Sequence, residues 1–121
     1  MLQSIIPILR IFDVAKAKEF YIEWLEFKLE WEHMFEENFP VYMELSKENI
    51  KIHLSEHHGD ATPGSAIFIT CTNVEEYCKK LQDKNYKFYK PAVKKTFYNA
   101  LCMSVTDPFG NRLSFNENIK D

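Results

Sequence analysis

Hydrophobic residues along the chain follow two different spacings, and the changes between them predict its elements. Residues 5–11 form an apolar run rich in β-branched side chains, which is typical of a buried strand. Asp13 follows as a candidate helix cap. Strand-type alternation then returns three times, in residues 27–31, 41–45 and 50–54. Between the cap and these strands, apolar residues form one helical stripe: Ala17, Phe20, Tyr21, Trp24 and Leu25.

The second half of the chain repeats this order of elements. Ile67, Ile69 and Cys71 lie on one face of a predicted strand. Asn73, with Glu76 three residues later, fits a capping box at the start of a second helix. The helix is predicted from a further apolar stripe, which comprises Val74, Tyr77, Cys78 and Leu81.

The end of the second half alternates like the end of the first. We expect a short strand at 86–89, a loop or poor strand at 91–99, and two strands joined by a turn at 107–110. Because the cap Asp13-Val14 recurs as Asn73-Val74, each half reads β-α-β-β-β and the chain is predicted to be a tandem duplication.

This repeat predicts an α+β fold in a single domain of residues 1–121. Module one covers about residues 1–60 and module two about residues 61–121. The two βαβββ modules are expected to form a curved mixed sheet around a cleft, with the helices on the outer face. A length of 121 residues is typical of one domain with its own core.

Strand parity predicts which side chains face the cleft. Successive side chains of a strand point to opposite faces. Since Ile52 and Leu54 belong to the apolar set, His53 and Ser55 should face the cleft, and the same reasoning assigns Arg112 to it. Trp31 shares the parity of Phe27 and Leu29, which favours a place in the core.

Composition narrows the class of partner. The net charge is −3 and the pI is about 5.8, which argues against nucleic acid as a ligand. No apolar run approaches a membrane span, and the N-terminal residues lack the basic segment of a signal peptide. Cys71, Cys78 and Cys102 have no metal-ligand spacing, so we expect reduced core thiols in a cytoplasmic protein.

Residues 52–64 concentrate three of the four histidines at the middle of the chain. His53 either contacts a ligand or is a structural residue hydrogen-bonded across the sheet. His57 and His58 are adjacent, so they should point apart unless the loop curls. A surface metal site at His53 and His57, or a general base at Glu56, are alternatives that the sequence leaves open.

Several motifs resemble those of the vicinal oxygen chelate superfamily, which includes glyoxalase I, extradiol dioxygenases, fosfomycin-resistance enzymes and bleomycin-binding proteins. The carriers are Phe-Asp-Val-Ala-Lys-Ala at 12–17 and Asp-Pro-Phe-Gly-Asn-Arg-Leu at 107–113. Trp-Glu-His at 31–33, Ser-Glu-His-His-Gly-Asp at 55–60 and Thr-Pro-Gly at 62–64 are similar to the bleomycin-resistance branch.

The resemblance also implies where metal ligands would stand. The metal enzymes of the superfamily place one ligand on each of four strands, at positions that correspond here to Ile6, His53, Ala66 and Ser114. Only the imidazole is a good ligand for a divalent metal, and a metal needs three or more such groups. We therefore predict no metal, no cofactor and no catalytic residue.

What the resemblance implies is a metal-independent protein that sequesters a planar cationic ligand, a bleomycin-family antibiotic, in the groove of a homodimer. Tyr98 stands where the family commonly has a tryptophan. The alternatives are a metal-dependent lyase or dioxygenase, and a binding module for another aromatic metabolite. The predicted ligand-binding residues are Phe35, Phe39, Tyr42, His53, Ser55, Glu56, His57, Tyr98 and Arg112.

Overall fold

A computed structural model describes residues 1–34, 36–87 and 89–119 of the chain. The α+β class and the tandem βαβββ order are both confirmed. The first half contains β1 (Ile8–Arg10), α1 (Val14–Lys18), a π-helical segment (Glu19–Trp24), β2 (Lys28–Met34), β3 (Val41–Lys47) and β4 (Ile50–Ser55). The second half contains β5 (Ala66–Thr70), α2 (Val74–Asp83), β6 (Val93–Lys95), β7 (Ala100–Thr106) and β8 (Arg112–Asn118).

Each half forms its own four-stranded mixed sheet. The strand order is β1-β4-β3-β2 in the first sheet and β5-β8-β7-β6 in the second. In both sheets the first strand of the half pairs in parallel with the last, and the other pairs are antiparallel. Two compact units result. Residues 1–65 with the turn Asp107–Asn111 form the first unit, and the remaining residues form the second.

The helical stripe of the first unit is confirmed. Ala17, Phe20, Tyr21, Trp24 and Leu25 are all at most 2% exposed, so the helix packs with its apolar face inward. The predicted cap is also confirmed, because the Asp13 side chain accepts a hydrogen bond of 3.0 Å from the Lys16 backbone N–H.

A buried polar network attaches the turn Asp107–Asn111 to the rest of the first unit. Tyr21 Oη donates to Asp107 Oδ2 at 2.6 Å. Asn111 Nδ2 donates to the Arg10 carbonyl at 2.7 Å and to Asp107 Oδ2 at 2.9 Å, while its Oδ1 accepts from the Ser65 N–H at 3.2 Å. Gly110 has a φ of +92°, a region that favours glycine. The network therefore explains the Asp-Pro-Phe-Gly-Asn motif in structural terms.

Tyr21 predicts how stability depends on alkaline pH. Burial, with the neighbouring Asp107 carboxylate, raises the pKa of this phenol well above its ordinary value of about 10. Below pH 10 the folded and unfolded chains both hold the proton. Above it, only the unfolded chain loses the proton readily, so the free energy of unfolding should fall as pH rises. Urea unfolding between pH 8 and 11 measures this slope. Tyr21→Phe should flatten it, and equal slopes would refute the assignment.

A β-bulge in β2 corrects the prediction for Trp31. Leu29 pairs with Leu45, but Trp31 pairs with Glu44 instead of Met43, so Glu30 is an extra residue in the ladder. The bulge changes the parity of the strand. Leu29 keeps the core register, whereas Trp31 turns to the opposite face and is 44% exposed. The prediction of a core tryptophan was wrong for this reason.

The start of α2 differs from the predicted capping box. Asn73 is in the left-handed region with a φ of +58°, and its side chain makes no capping hydrogen bond. Glu117 on β8 supplies the acceptor instead, because its Oε1 lies 3.0 Å from the Val74 backbone nitrogen. The helix stripe itself is confirmed, since Val74, Cys78 and Leu81 are buried.

Replacing Glu117 with alanine should therefore lower the free energy of unfolding by about 1 kcal/mol, the usual loss for a helix cap. Glu76→Ala serves as the matched control and should change it by less than about 0.5 kcal/mol, as for an exposed surface position. Urea denaturation of both variants measures the difference. A larger loss of stability for Glu76→Ala than for Glu117→Ala would show that Glu76, and not Glu117, caps the helix.

The second strand of the second half lies later than predicted. The described residues of 86–89, namely 86, 87 and 89, are not in a strand, and β6 falls at Val93–Lys95 within the stretch predicted as a loop or poor strand. The other strands occupy the predicted places, and Met103, Val105, Leu113 and Phe115 are buried as the alternation indicates.

Candidate functional site

The first sheet has one face in the core and one open face. Met43, Leu45, Ile52 and Leu54 are fully or almost fully buried on the core face. The register places the intervening side chains together on the open face, because directly paired residues point the same way. Trp31, Glu44 and His53 form one cross-strand row, and His33, Tyr42 and Ser55 form the next. The parity predicted for His53 and Ser55 is confirmed by this register.

Three aromatic rings meet on this open face. Trp31 and Tyr42 stack with centroids 5.9 Å apart and ring planes inclined by only 12°. His53 packs edge-on against both, at 5.5 Å from Trp31 and 5.1 Å from Tyr42. Such ring pairs are worth about 0.5–1.5 kcal/mol beyond area burial, so each ring fixes the others. The result is a preorganised aromatic surface.

A hydrogen-bond chain holds the polar ends of these side chains. Tyr42 Oη lies 2.7 Å from His53 Nδ1, and His53 Nε2 lies 3.0 Å from Glu44 Oε1. A carboxylate accepts only, so Nε2 donates to Glu44; in the neutral imidazole Nδ1 then accepts the Tyr42 proton. Partial burial, followed by the negative charges of Asp60 and Glu44, raises the pKa of the Tyr42 hydroxyl. Tyr42 therefore remains a neutral phenol at physiological pH.

The aromatic surface forms one wall of a groove of about 950 Å³. This volume lies in the range of small-molecule sites. Aromatic and acidic side chains line it together with two histidines, and we call it the acidic groove. Its principal lining residues are Trp31, His33, Glu36, Phe39, Tyr42, His57 and Asp60.

The loop after β4 positions the acidic wall of this groove. Ser55 is fully buried, and its hydroxyl donates to Asp60 Oδ2 at 2.7 Å while accepting from the His57 N–H at 3.0 Å. Glu56 Oε1 accepts from the Val41 N–H at 3.0 Å, which ties the loop to β3. The loop curls, so the rings of His57 and His58 stack at 5.1 Å instead of pointing apart.

The nine predicted site residues occupy different places. Phe39, Tyr42 and His57 line the acidic groove, and His53 lies directly against Tyr42. Ser55 and Glu56 hold the loop instead of lining the groove. Tyr98 and Arg112 belong to the second unit, and Phe35 lies outside the described residues.

Sequence reasoning missed six residues that line the groove: Trp31, His33, Glu36, Pro40, Val41 and Asp60. The motifs Trp-Glu-His at 31–33 and Ser-Glu-His-His-Gly-Asp at 55–60 already contained three of them. What hid Trp31 was the bulge, which no alternation pattern reveals.

The donor set at the four family metal positions does not fit a metal. Ile6 and Ala66 carry no donor atom, and both nitrogens of His53 are already engaged by Tyr42 and Glu44. Within residues 1–34, 36–87 and 89–119, no three His, Cys, Asp or Glu side chains gather as a metal site would require. In the same residues, no helix has the length and apolar character needed to cross a membrane.

Comparisons with known proteins agree with this architecture. A bleomycin-binding protein solved in complex with bleomycin has a TM-score of 0.73 and 16% identity, over 98% of this chain and 100% of that chain. The bleomycin resistance determinant encoded on transposon Tn5 has a TM-score of 0.74 and 13% identity, over 98% and 100%. TnmS3, an antibiotic-binding protein from Streptomyces sp. CB03234, has a TM-score of 0.69 and 20% identity, over 98% and 99%.

At these identities the structural neighbours establish the fold alone. No curated protein gives a significant sequence match. The family described as "Glyoxalase superfamily protein" matches residues 1–121 in full. This superfamily contains both enzymes and non-enzymatic binding proteins. The full-length match, together with the tandem βαβββ fold, shows that the chain belongs to the glyoxalase superfamily.

Proposed function

We propose that the chain is a metal-independent binding protein that sequesters a planar cationic small molecule, of the bleomycin type, in the acidic groove. The observation that carries the proposal is the exposed Trp31 stacked on Tyr42 beside Glu36 and Asp60. A 44%-exposed tryptophan held flat against a second ring offers a face on which a planar ligand can stack.

Charge supports the same class of ligand. Glu36 and Asp60 line the groove, and none of the described residues that line it is a lysine or an arginine. A cationic tail would therefore meet opposite charge, while the aromatic rings attract a cation through their faces. Asp60 is held by Ser55, so the carboxylate is oriented before a ligand arrives. Preorganisation of this kind reduces the entropy lost on binding.

The proposed action is sequestration without bond breaking. The Tyr42 hydroxyl donates to His53, and its raised pKa keeps it a neutral phenol, which supports binding over nucleophilic attack. By analogy with the bleomycin-resistance branch, we propose a homodimer as the working form. The free thiols of Cys71, Cys78 and Cys102 support a reducing, cytoplasmic location.

Calorimetric titration with metal-free bleomycin tests this proposal. We expect saturable binding of one ligand per protomer, weakened at high salt because the groove is acidic. Glu36→Gln removes one charge without changing shape and should weaken binding several-fold, whereas Glu48→Gln, an exposed glutamate outside the groove, should not. The absence of binding heat at high micromolar protein would remove the bleomycin claim. A thermal-shift screen of other planar cations would then show whether the groove binds a different ligand, because a ligand of the folded chain raises its melting temperature.

A further inference from the structure

Glu44, His53 and Tyr42 form a chain of hydrogen bonds that ends at the wall of the acidic groove. His53 Nε2 lies 3.0 Å from Glu44 Oε1, and Tyr42 Oη lies 2.7 Å from His53 Nδ1. Of these three side chains, only Tyr42 lines the groove. We call the three residues the polar relay. Because the relay begins outside the groove and ends in it, Glu44 can act on a ligand that it does not touch.

The direction of each proton in the polar relay follows from Glu44. Its carboxylate accepts hydrogen bonds and donates none, and its second oxygen, Oε2, forms an ion pair of 3.9 Å with the Lys51 ammonium. His53 Nε2 must therefore carry the N–H that faces Glu44. A neutral imidazole has one N–H, so Nδ1 accepts and the Tyr42 hydroxyl donates to it. The phenol proton is thus directed at His53, which does not line the groove.

The hydroxyl oxygen of Tyr42 remains available to a ligand as an acceptor. A phenol has one proton, and here that proton is engaged by His53, so the oxygen can only accept from the groove. Asp60 on the same wall is a second acceptor. Its negative charge reaches the phenol, because after partial burial it is the next cause of the raised pKa of Tyr42. An N–H donor of a ligand therefore finds two acceptors, whereas a ligand acceptor finds no donor at Tyr42.

Packing holds the polar relay in this arrangement. Tyr42 stacks on Trp31 at 5.9 Å, and His53 packs edge-on against both rings. The side chains of His53 and Glu44 are only 18% and 12% exposed, so water has little access to their hydrogen bonds. Turning the phenol proton toward the groove would leave His53 Nδ1 without its donor, which is unfavourable for a largely buried acceptor. The acceptor character of Tyr42 is therefore built into the sheet.

We propose that the polar relay makes the acidic groove selective for planar cations that carry an N–H donor, and that Glu44 is the positioning residue that sets this selectivity. The proposal rests on the proposed function, because it concerns a ligand stacked on Trp31. It adds the chemistry of that ligand. An aromatic cation with an amine or ring N–H directed at Tyr42 is favoured over a cation of similar shape whose nitrogen is fully alkylated.

Two acridine cations of similar shape test the selectivity. 9-Aminoacridine is protonated at neutral pH and carries N–H donors, whereas 10-methylacridinium has the same ring system and charge without any. Fluorescence titration at pH 8, above the ordinary range of an imidazole, gives both affinities. We expect the native chain to bind 9-aminoacridine about tenfold more tightly, the usual effect of one hydrogen bond to a charged group. Equal affinities would overturn the selectivity but leave the proposed function standing, whereas binding of neither cation would count against both.

Variants assign the selectivity to the polar relay. Tyr42→Phe keeps the stacking ring but removes the acceptor, so the two affinities should agree to within about twofold. Glu44→Gln replaces a pure acceptor with an amide that presents either oxygen or nitrogen, so the preference should fall several-fold. The lost charge weakens both cations alike, which makes the ratio of affinities the readout. Glu48→Gln, an exposed glutamate outside the groove, should keep the native ratio. A tenfold preference that persists in Tyr42→Phe or in Glu44→Gln would overturn the proposal.

Nitrogen NMR measures the proton direction without any ligand. In the native chain labelled with nitrogen-15 histidine, the ring of His53 should carry its proton on Nε2 and none on Nδ1 at pH 8. The His53 signals are assigned by their absence in His53→Asn. In Glu44→Gln the form with the proton on Nδ1 should gain population. A native His53 ring protonated on Nδ1 alone would overturn the proposal independently of the acridine result.

Discussion

Replacing Trp31 with alanine should weaken the binding of metal-free bleomycin by roughly 30-fold, which corresponds to about 2 kcal/mol. The ring is 44% exposed and stacks on Tyr42 at 5.9 Å, so its removal deletes the exposed stacking face and loosens the ring beneath it. Because the indole is half exposed, the fold should survive. Isothermal calorimetry measures the affinity, and circular dichroism checks the fold.

Two variants serve as controls for this result. Trp31→Phe keeps a smaller ring and should lose only part of the affinity. Phe12→Ala removes an aromatic side chain that is 55% exposed in the same unit but does not line the acidic groove, and should leave the affinity unchanged. A Trp31→Ala variant that binds as tightly as the native chain would show that stacking on this face is not how the ligand is held.

The second large effect concerns stability. Asn111→Ala should lower the free energy of unfolding by about 3 kcal/mol, because removal of buried hydrogen-bond partners leaves several groups without them. Asn111 is fully buried, and its amide bonds the Arg10 carbonyl, Asp107 Oδ2 and the Ser65 N–H. The variant would therefore release the turn Asp107–Asn111 from the first unit.

Urea unfolding followed by circular dichroism measures this loss. Asn118→Ala is the matched control, since Asn118 is an exposed asparagine of β8. It should change the free energy of unfolding by less than about 0.5 kcal/mol, as for a surface position. If Asn111→Ala matched the control, the network would be a consequence of the turn and not its support.

Regular alternation predicted most of the fold. The stripe of Ala17, Phe20, Tyr21, Trp24 and Leu25 is buried, and His53 lies on the open face between buried Ile52 and Leu54. These predictions succeeded because periodicity reports directly which face of an element is apolar. The motifs at 12–17 and 107–113 predicted the superfamily to which the chain belongs, and the full-length family match confirms that prediction.

The sequence could not predict features set by contacts between distant residues. The bulge at Glu30 is a property of the pairing between β2 and β3, and it moves Trp31 to the open face. The cap of α2 comes from Glu117, which is 43 residues from Val74. Local patterns favoured the nearer Glu76, since a capping box is read from adjacent sequence. Both errors arise where tertiary pairing overrides a local signal.

The candidate site was predicted only in part for a related reason. Residue type and parity placed Tyr42 and His57 near a ligand, and both line the acidic groove. Parity also assigned Arg112 to the site, and the family resemblance assigned Tyr98; both belong to the second unit, and their part in the site stays a prediction. Whether the predicted residues bind a ligand remains a prediction that the binding experiments address.

Tryptophan fluorescence tests the central claim most directly, because the chain has two tryptophans in opposite environments. Trp24 is 2% exposed in the core, whereas Trp31 is 44% exposed on the wall of the acidic groove. Titration with metal-free bleomycin should quench the Trp31 emission, saturate at one ligand per protomer, and leave the emission of Trp31→Phe almost unchanged. Equal quenching in Trp31→Phe, or binding heat with no quenching in the native chain, would contradict the account.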